Sequence, residues 1–478
     1  MKLLHILLAV SLSVAPVSAT YPEGLPDLGD SSEAAFSGSQ EQALGARIMR
    51  DIRADRSYID DPELTGYLNS LGRRLSANAG PARQDFEFFL LDDNTLNAFA
   101  LPGGYIGVHS GLILAAQSES ELASVLGHEI AHVTQRHLAR MLSTQNQTML
   151  TSLAALAVAI LAARSNSQLS EAALATAQAA SIQSQLDYTR AHEREADRVG
   201  LQTLDKAGFD TRAMAMFFER LQKSSRTYDY RAPVYLRTHP LTTERIADIQ
   251  NRLSTLPVHA VADNSDFQLV RAKLRAMMDS PKEAVEYFEK AGPEAGFGRG
   301  PARAYGLAAA LVRARDYPRA QRELDTLRKS NPPHPMLEGL AARSKREAGD
   351  PKAAQEIYRG ALKQFPQSRA LFYGYMDALL DGARNSEALK AVSDRLVNIQ
   401  DDYRLYELQA KSYAALGKKL PQHAAQAEAY ARQGNLPAAI EQLQIGLKSG
   451  DGDFYQLSSA ESRLKELKLQ AAADKPRQ

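Results

Sequence analysis

Apolar residues recur at helical spacing along most of this chain, and a short stretch around residue 100 departs from that pattern. Helices are expected over Gln40–Asp55 and Asp61–Ala77, the second opened by Asp61 as N-cap with Pro62 at the first helical position. Phe86–Leu91 is a strand-like apolar run. A second strand is expected at 104–108, introduced by the Pro102-Gly103-Gly104 breaker. A long helix then runs from Ser118 or Ser120 through Arg140, with Leu122, Val125, Leu126 and Val133 recurring along it. Another covers Ala191–Leu204 and stops at Gly208. Between these two, Thr148–Ala163 is rich in Ala, Leu, Val and Ile, but shorter than the ~20 residues that span a bilayer. It reads as a buried core helix, or as a flap over a cleft that touches a membrane or an unfolded client.

Beyond a polar linker at 254–265, which contains Pro257, the pattern repeats itself. Asp316-Tyr-Pro-Arg-Ala320 returns as Asp350-Pro-Lys-Ala-Ala354 and as Arg384-Asn-Ser-Glu-Ala388, with the alanines 34 residues apart. Pro332 and Pro366 keep the same interval, and related segments start at Ser280 and Asn435. A 34-residue unit of helix, turn and helix is the tetratricopeptide signature. Small alanines let paired helices approach, and stacking of pairs builds a core that no single pair can bury. The array is expected over 266–468, with a disordered tail at 469–478.

Composition adds to this at the N-terminus and in the chemistry it leaves open. Lys2, the apolar run Ile6–Val14 and the small residues Val17-Ser18-Ala19 read as a signal peptide over 1–19, cleaved before Thr20, with an uncleaved anchor as the alternative. Residues 20–38, rich in Gly, Pro, Ser and acids, form a flexible lead-in. Basic and acidic residues nearly cancel, 57 against 56, so there is no electrostatic case for nucleic acid as a partner. Cysteine is absent, which rules out disulfides and leaves histidines and carboxylates as ligands for a transition metal.

His128-Glu129-Ile130-Ala131-His132 offers such ligands. Two histidines four residues apart project from one helix face, and Glu129 can reach a water beside the metal. In sites of this kind two imidazoles and a carboxylate hold Zn²⁺, and the water in the open fourth position has its pKa lowered to ~7. Glu193-Arg-Glu-Ala-Asp197 is the candidate source of the carboxylate. Glu193 and Asp197 share a face at i, i+4, whereas Glu195 points nearly the opposite way. A second carboxylate one turn on can orient a ligand histidine through its free N–H. The same segment also reads as an exposed helix laced with pairs to Arg190, Arg194 and Arg198, and His192 is a rival ligand. His137, five residues past His132, is rotated off the ligand face and expected in solvent.

HExxH, followed about sixty residues later by Glu-x-x-Ala-Asp, resembles the metallopeptidase family that contains the CAAX prenyl endopeptidases and the heat-shock protease HtpX. Asn97-Ala-Phe-Ala-Leu-Pro-Gly-Gly-Tyr105, with Ser110-Gly111-Leu112, is similar to that family's strand and turn ahead of the zinc helix. With the signal peptide and the repeats, the chain resembles the family's periplasmic members. The resemblance implies Zn²⁺ on His128, His132 and Glu193, Glu129 as catalytic base, and Asp197 behind a ligand. It implies an α+β, mainly helical fold: a zincin-type metalloprotease domain with a small sheet over 39–253, then an all-α tetratricopeptide solenoid. His239, in Arg237-Thr-His-Pro240, falls where such relatives carry a histidine-proline loop. It would either donate to the oxyanion or fill the fourth zinc position and hold the enzyme latent. Asn97, Ala98, Phe99 and Ala100 are candidates to pair with an extended substrate, or form a plain core strand. The function implied is a periplasmic zinc endopeptidase that degrades misfolded or misassembled outer-membrane proteins and assists their assembly. Its repeats would contact the assembly machinery, and it would touch the membrane at most peripherally. The alternatives are a chaperone or scaffold with little proteolysis, and a membrane-associated protease.

Overall fold

The computed structural model describes residues 36–80, 84–144, 190–227, 234–259, 261, 264–290 and 300–473. The expected signal peptide, residues 20–35 of the lead-in and Thr148–Ala163 lie outside the described residues. Helix α1 (Gly38–Ala54) is opened by a reciprocal capping box between Ser37 and Gln40. Helix α2 (Pro62–Ser76) starts at Asp61, whose carboxylate accepts the Glu63 and Leu64 amides at 3.0 Å each. Its buried stripe of Leu64, Leu68, Leu71 and Leu75 packs against strand β1 (Glu87–Leu91).

Strand β1 runs parallel to β3 (Tyr105–His109), and β2 (Ala98–Leu101) pairs antiparallel on the other side of β3. The turn from β2 to β3 takes Gly103 and Gly104 through φ of +82° and +83°. A Cβ on Gly104 would also stand 2.3 Å from the Asp85 carbonyl oxygen, so only glycine fits there. The outer edge of β1 is closed: Asn69 bonds both the amide and the carbonyl of Phe88, and the Ile59 amide donates to Leu90. The outer edge of β2 has no strand partner among the described residues.

Helices α3 (Ser110–Ala115), α4 (Glu119–Thr134) and α5 (His137–Thr144) follow the sheet. Then come α6 (Arg190–Lys206), α7 (Arg212–Thr227), α8 (Val234–Thr238) and α9 (Thr243–Leu253). Helix α4 is buried on every side from Glu119 to His132, which makes it the central helix of this region. It does not continue to Arg140 as its apolar pattern predicts. The helix stops at Thr134, Arg136 turns through φ +52°, and α5 sets off in a new direction. A non-glycine residue in that conformation costs about 1–2 kcal/mol. Here the Arg136 guanidinium bonds the Phe36 carbonyl at 2.9 Å and Glu41 at 3.2 Å, which offsets the strain.

The repeat region opens with α10 (Ser265–Met278) and α11 (Pro281–Lys290). Paired helices follow: α12 and α13 (Pro301–Arg313, Tyr317–Ser330), α14 and α15 (Pro335–Glu347, Pro351–Gln364), α16 and α17 (Arg369–Asp381, Asn385–Leu396). The array ends with α18 and α19 (Tyr403–Ala415, Lys419–Arg432), then α20 and α21 (Leu436–Leu447, Phe454–Ala473). The repeating alanines 320, 354 and 388 are all completely buried. The turns share a backbone device: Arg315, Gly349, Ala383 and Gly417, again 34 residues apart, all have positive φ. Helix α21 continues beyond 468 into the expected tail.

One apolar cluster passes from Leu64 through Phe209 and Phe267 to Leu340 without a break at the expected linker. Across it, the Lys273 ammonium on α10 meets Asp61 and Glu63 at 2.6 Å each. Farther along the array, Arg404 bonds Asp60 at 2.6 Å and Gly434 packs on the Arg50 side chain. Among the described residues, no helix is long and apolar enough to cross a membrane.

Candidate metal centre

The site is built where α4 and α6 touch. A Cβ on Gly200 would lie 3.1 Å from the His128 amide nitrogen and 3.2 Å from the backbone of Gly127, so the two helices approach almost backbone to backbone. That contact brings His128 and His132 of α4 against Glu193 and Asp197 of α6. The Nε2 atoms of His128 and His132 are 3.0 Å apart. Glu193 stands 3.3 Å from His132 Nε2 and 3.4 Å from His128 Nε2. His239, just after α8, brings Nδ1 to 2.9 Å from Glu193 and 3.3 Å from His128 Nε2.

One ligand atom from each of these four buried residues lies within 4.8 Å of all the others. Bonds of ~2.0–2.2 Å from a tetrahedral cation hold its donor atoms roughly 3.3–3.6 Å apart. Three of the separations above, at 3.3–3.4 Å, reach that edge length, and the two at 2.9 and 3.0 Å are shorter. Imidazole nitrogens and a carboxylate meeting at such distances can all turn lone pairs to one point once the rings are deprotonated. The residues therefore fit a small cation.

The surroundings prepare those ligands. His128 Nδ1 is 3.0 Å from Asp197, and Arg245 on α9 holds that carboxylate with two bonds of 2.7 Å. Arg245 also reaches Glu193 at 2.7 Å. Burial alone would pull the His128 imidazole down, but Asp197 and Glu193 outweigh it and raise it to about 9. Burial dominates at His132, which is held well below the usual range against the pull of Glu193. Glu193 is well below the carboxylate range, because the histidines overcome its desolvation. Glu129 goes the other way. Burial raises its carboxyl, against the pull of His239, His128 and the Ala100 backbone. His239 Nε2 is 3.5 Å from it, and the His239 ring stacks on Tyr235 with centroids 4.7 Å apart.

A model of peptidase family M48 matches residues 62–253, and a tetratricopeptide-repeat model matches 345–412. The chain is 34% identical over 472 residues to the β-barrel assembly-enhancing protease of Escherichia coli (strain K12), covering 97% of this chain and 95% of that protein. The chain belongs to peptidase family M48. It is a metalloprotease. It is also 36% identical over 422 residues to the putative β-barrel assembly-enhancing protease of Vibrio cholerae serotype O1, covering 88% of this chain and 87% of that one. A more distant relative is the mitochondrial metalloendopeptidase OMA1 of Schizosaccharomyces pombe, 30% identical over 190 residues, or 40% of this chain and 53% of the other.

Within this M48 chain, the structure brings His128, His132, Glu193 and His239 into one cluster, with Glu129 and Asp197 at its border. Of the strand candidates, Asn97 and Ala98 are buried while Phe99 and Ala100 are half-buried along the edge of β2. His137 is a correction. It is not in solvent but fully buried, because the turn at Arg136 swings its ring back beneath His132. Its Nδ1 lies 2.9 Å from His132 Nδ1, and its Nε2 lies 3.0 Å from Glu195. Burial pulls the His137 imidazole down to about 4. His192 stacks on His137 rather than joining the ligand cluster. Arg245 and Tyr235 were invisible to motif reading, since each reaches the site across many residues and neither belongs to HExxH or Glu-x-x-Ala-Asp.

Proposed function

We propose that this chain is a zinc endopeptidase of the bacterial periplasm that cleaves unfolded or misassembled outer-membrane proteins and assists their assembly. Residues 39–253 form its proteolytic unit, and the repeats over 266–468 present clients and contact the assembly machinery. The observation that carries the reading is the convergence of His128, His132, Glu193 and His239 beside the buried carboxylate of Glu129. The names of the E. coli and V. cholerae relatives support the class of client.

His128, His132 and Glu193 hold the metal, and Asp197 orients His128. Zinc, when bound, supplies the charge that polarises the scissile carbonyl and acidifies a water. Glu129 takes a proton from that water and returns it to the leaving amine, a task suited to a carboxyl whose pKa burial has raised. The substrate lies extended along Asn97–Ala100, the sheet edge without a strand partner. The Tyr235 hydroxyl, buried and without a hydrogen-bond partner among the described residues, is available to meet the oxyanion.

Wild type and Glu129→Gln should bind zinc equally, while cleavage of an unfolded protein falls about 10²–10⁴-fold in the variant. Equal cleavage by both, or no metal in the wild type, sinks the reading. The position of His239 Nδ1 among the ligands favours latency over an oxyanion role. His239→Ala should then raise peptidase activity, and a fall would return His239 to the oxyanion.

A further inference from the structure

We infer that His137 is a positioning residue for the metal ligand His132, holding it through an imidazole–carboxylate relay that ends on Glu195. The inference rests on the metal-site reading above and concerns how one ligand is aimed. His132 turns Nε2 toward His128 and Glu193. A nitrogen that offers its lone pair to a cation cannot carry a proton, so the proton of the neutral ring sits on Nδ1 and needs an acceptor. The atom 2.9 Å away is His137 Nδ1.

This fixes the rest of the chain. His132 Nδ1–H donates, so His137 Nδ1 accepts, and the His137 proton sits on Nε2. That atom lies 3.0 Å from Glu195 Oε2, which can only accept when ionised. The same oxygen takes the Arg140 guanidinium at 2.8 Å, which keeps the carboxylate charged. Every link is a donor facing an acceptor, with both rings neutral. The backbone is shaped for it as well: the left-handed turn at Arg136 puts the ring under His132, where a continuous helix would carry it away. Stacking on His192, with centroids 4.5 Å apart and planes at 18°, fixes its tilt.

The two ligand histidines are thus supported unequally. His128 has a carboxylate directly behind it at 3.0 Å, whereas His132 has a neutral imidazole, with the charge one ring farther off. A carboxylate beside the ring raises ligand basicity more than a neutral acceptor does. The relay therefore supplies direction to His132 with less added basicity.

The test compares full-length wild type, His137→Asn, His137→Gln and Glu195→Gln. Asn places an acceptor where Nδ1 stood, and Gln places its amide where Nε2 stood. Zinc release into a chromophoric chelator and the visible spectrum of the Co²⁺-substituted protein are measured, neither of which needs activity. His137→Gln should release zinc about 10–100-fold faster and shift the cobalt bands. His137→Asn should recover most of the loss, and Glu195→Gln should fall between. Equal retention and an unchanged cobalt spectrum in His137→Gln overturn the inference. So does equal loss in Asn and Gln, which would mark His137 as packing only. A wild type that binds no metal would overturn the metal-site reading instead.

Discussion

At the joint between protease and repeats, the Lys273 ammonium spends its three hydrogens on Asp61 and Glu63, and the three side chains are only 13–16% exposed. At the metal centre, three imidazoles and Glu193 converge on one point, with one ligand atom from each within 4.8 Å of all the others. Arg245 stands behind the cluster, on Asp197 and the flank of Glu193. Both regions bury charge inside the same protein. The joint uses every hydrogen of its ammonium on two carboxylates, so it works as a structural clasp. The centre turns imidazole nitrogens and a carboxylate oxygen from four residues on one point, which marks it as a binding site.

The largest expected effect tests the clasp. Lys273→Met leaves two buried carboxylates unpaired and should cost about 3–5 kcal/mol, read as a lower thermal midpoint and faster proteolysis near the joint. Zinc affinity should hardly change. If the variant loses metal as readily as stability, the two regions are not independent and the comparison fails.

Acid should separate them in order. Metal binding needs deprotonated ligands; burial lowers the His128 pKa, but Asp197 and Glu193 outweigh it and raise it to about 9, so protons compete for this ligand as the pH falls through that value. Burial works against Asp61 ionisation, but Lys273 outweighs it and holds the folded pKa below 3.8. Its contribution is therefore present above ~4 and is lost only as the pH falls through that lower value. Burial lowers the Lys273 pKa, the two carboxylates overcome this, and the net rise keeps its contribution intact up to ~10.4. Glu63 has the opposite sign: burial raises it, so its early protonation relieves a cost and softens the acid loss. Above pH ~4, therefore, zinc should leave on acidification while the repeats stay docked, as followed by metal release and protection from protease. Undocking before metal release would reverse the assignment.

The smallest effect is the most local. Gly200→Ala must push α6 away from α4 by a few tenths of an ångström, because its new Cβ meets backbone atoms at 3.1–3.2 Å. That shifts Glu193 against both histidines and should weaken zinc by about tenfold, with little change at the clasp.

Features carried by local spacing were the legible ones. His128 and His132 share a face because four residues make one helical turn, and alanines 320, 354 and 388 mark helix starts because the repeat is periodic. Glu193 and Asp197 were legible as a pair on one face, although their distance from His128 was not. His137 was misread because its position depends on one left-handed residue, Arg136, which is stabilised by Phe36 and Glu41 from another part of the chain. The clasp was out of reach for the same reason: Lys273 and Asp61 are remote in sequence, and each alone resembles an ordinary surface charge. Sequence pattern reports what neighbours along the chain do together. Partnerships made by folding leave no such trace.

A stacked array usually touches only its own neighbours, and its length is free to drift by whole units. This one is fastened near its start by Lys273 and far along by Arg404 and Gly434, all to the α1–α2 end of the protease. Such an arc behaves like a closed bracelet rather than a ladder. Adding or removing one 34-residue link between these fastenings would misalign the far one, so the number of links becomes a property the protease itself imposes.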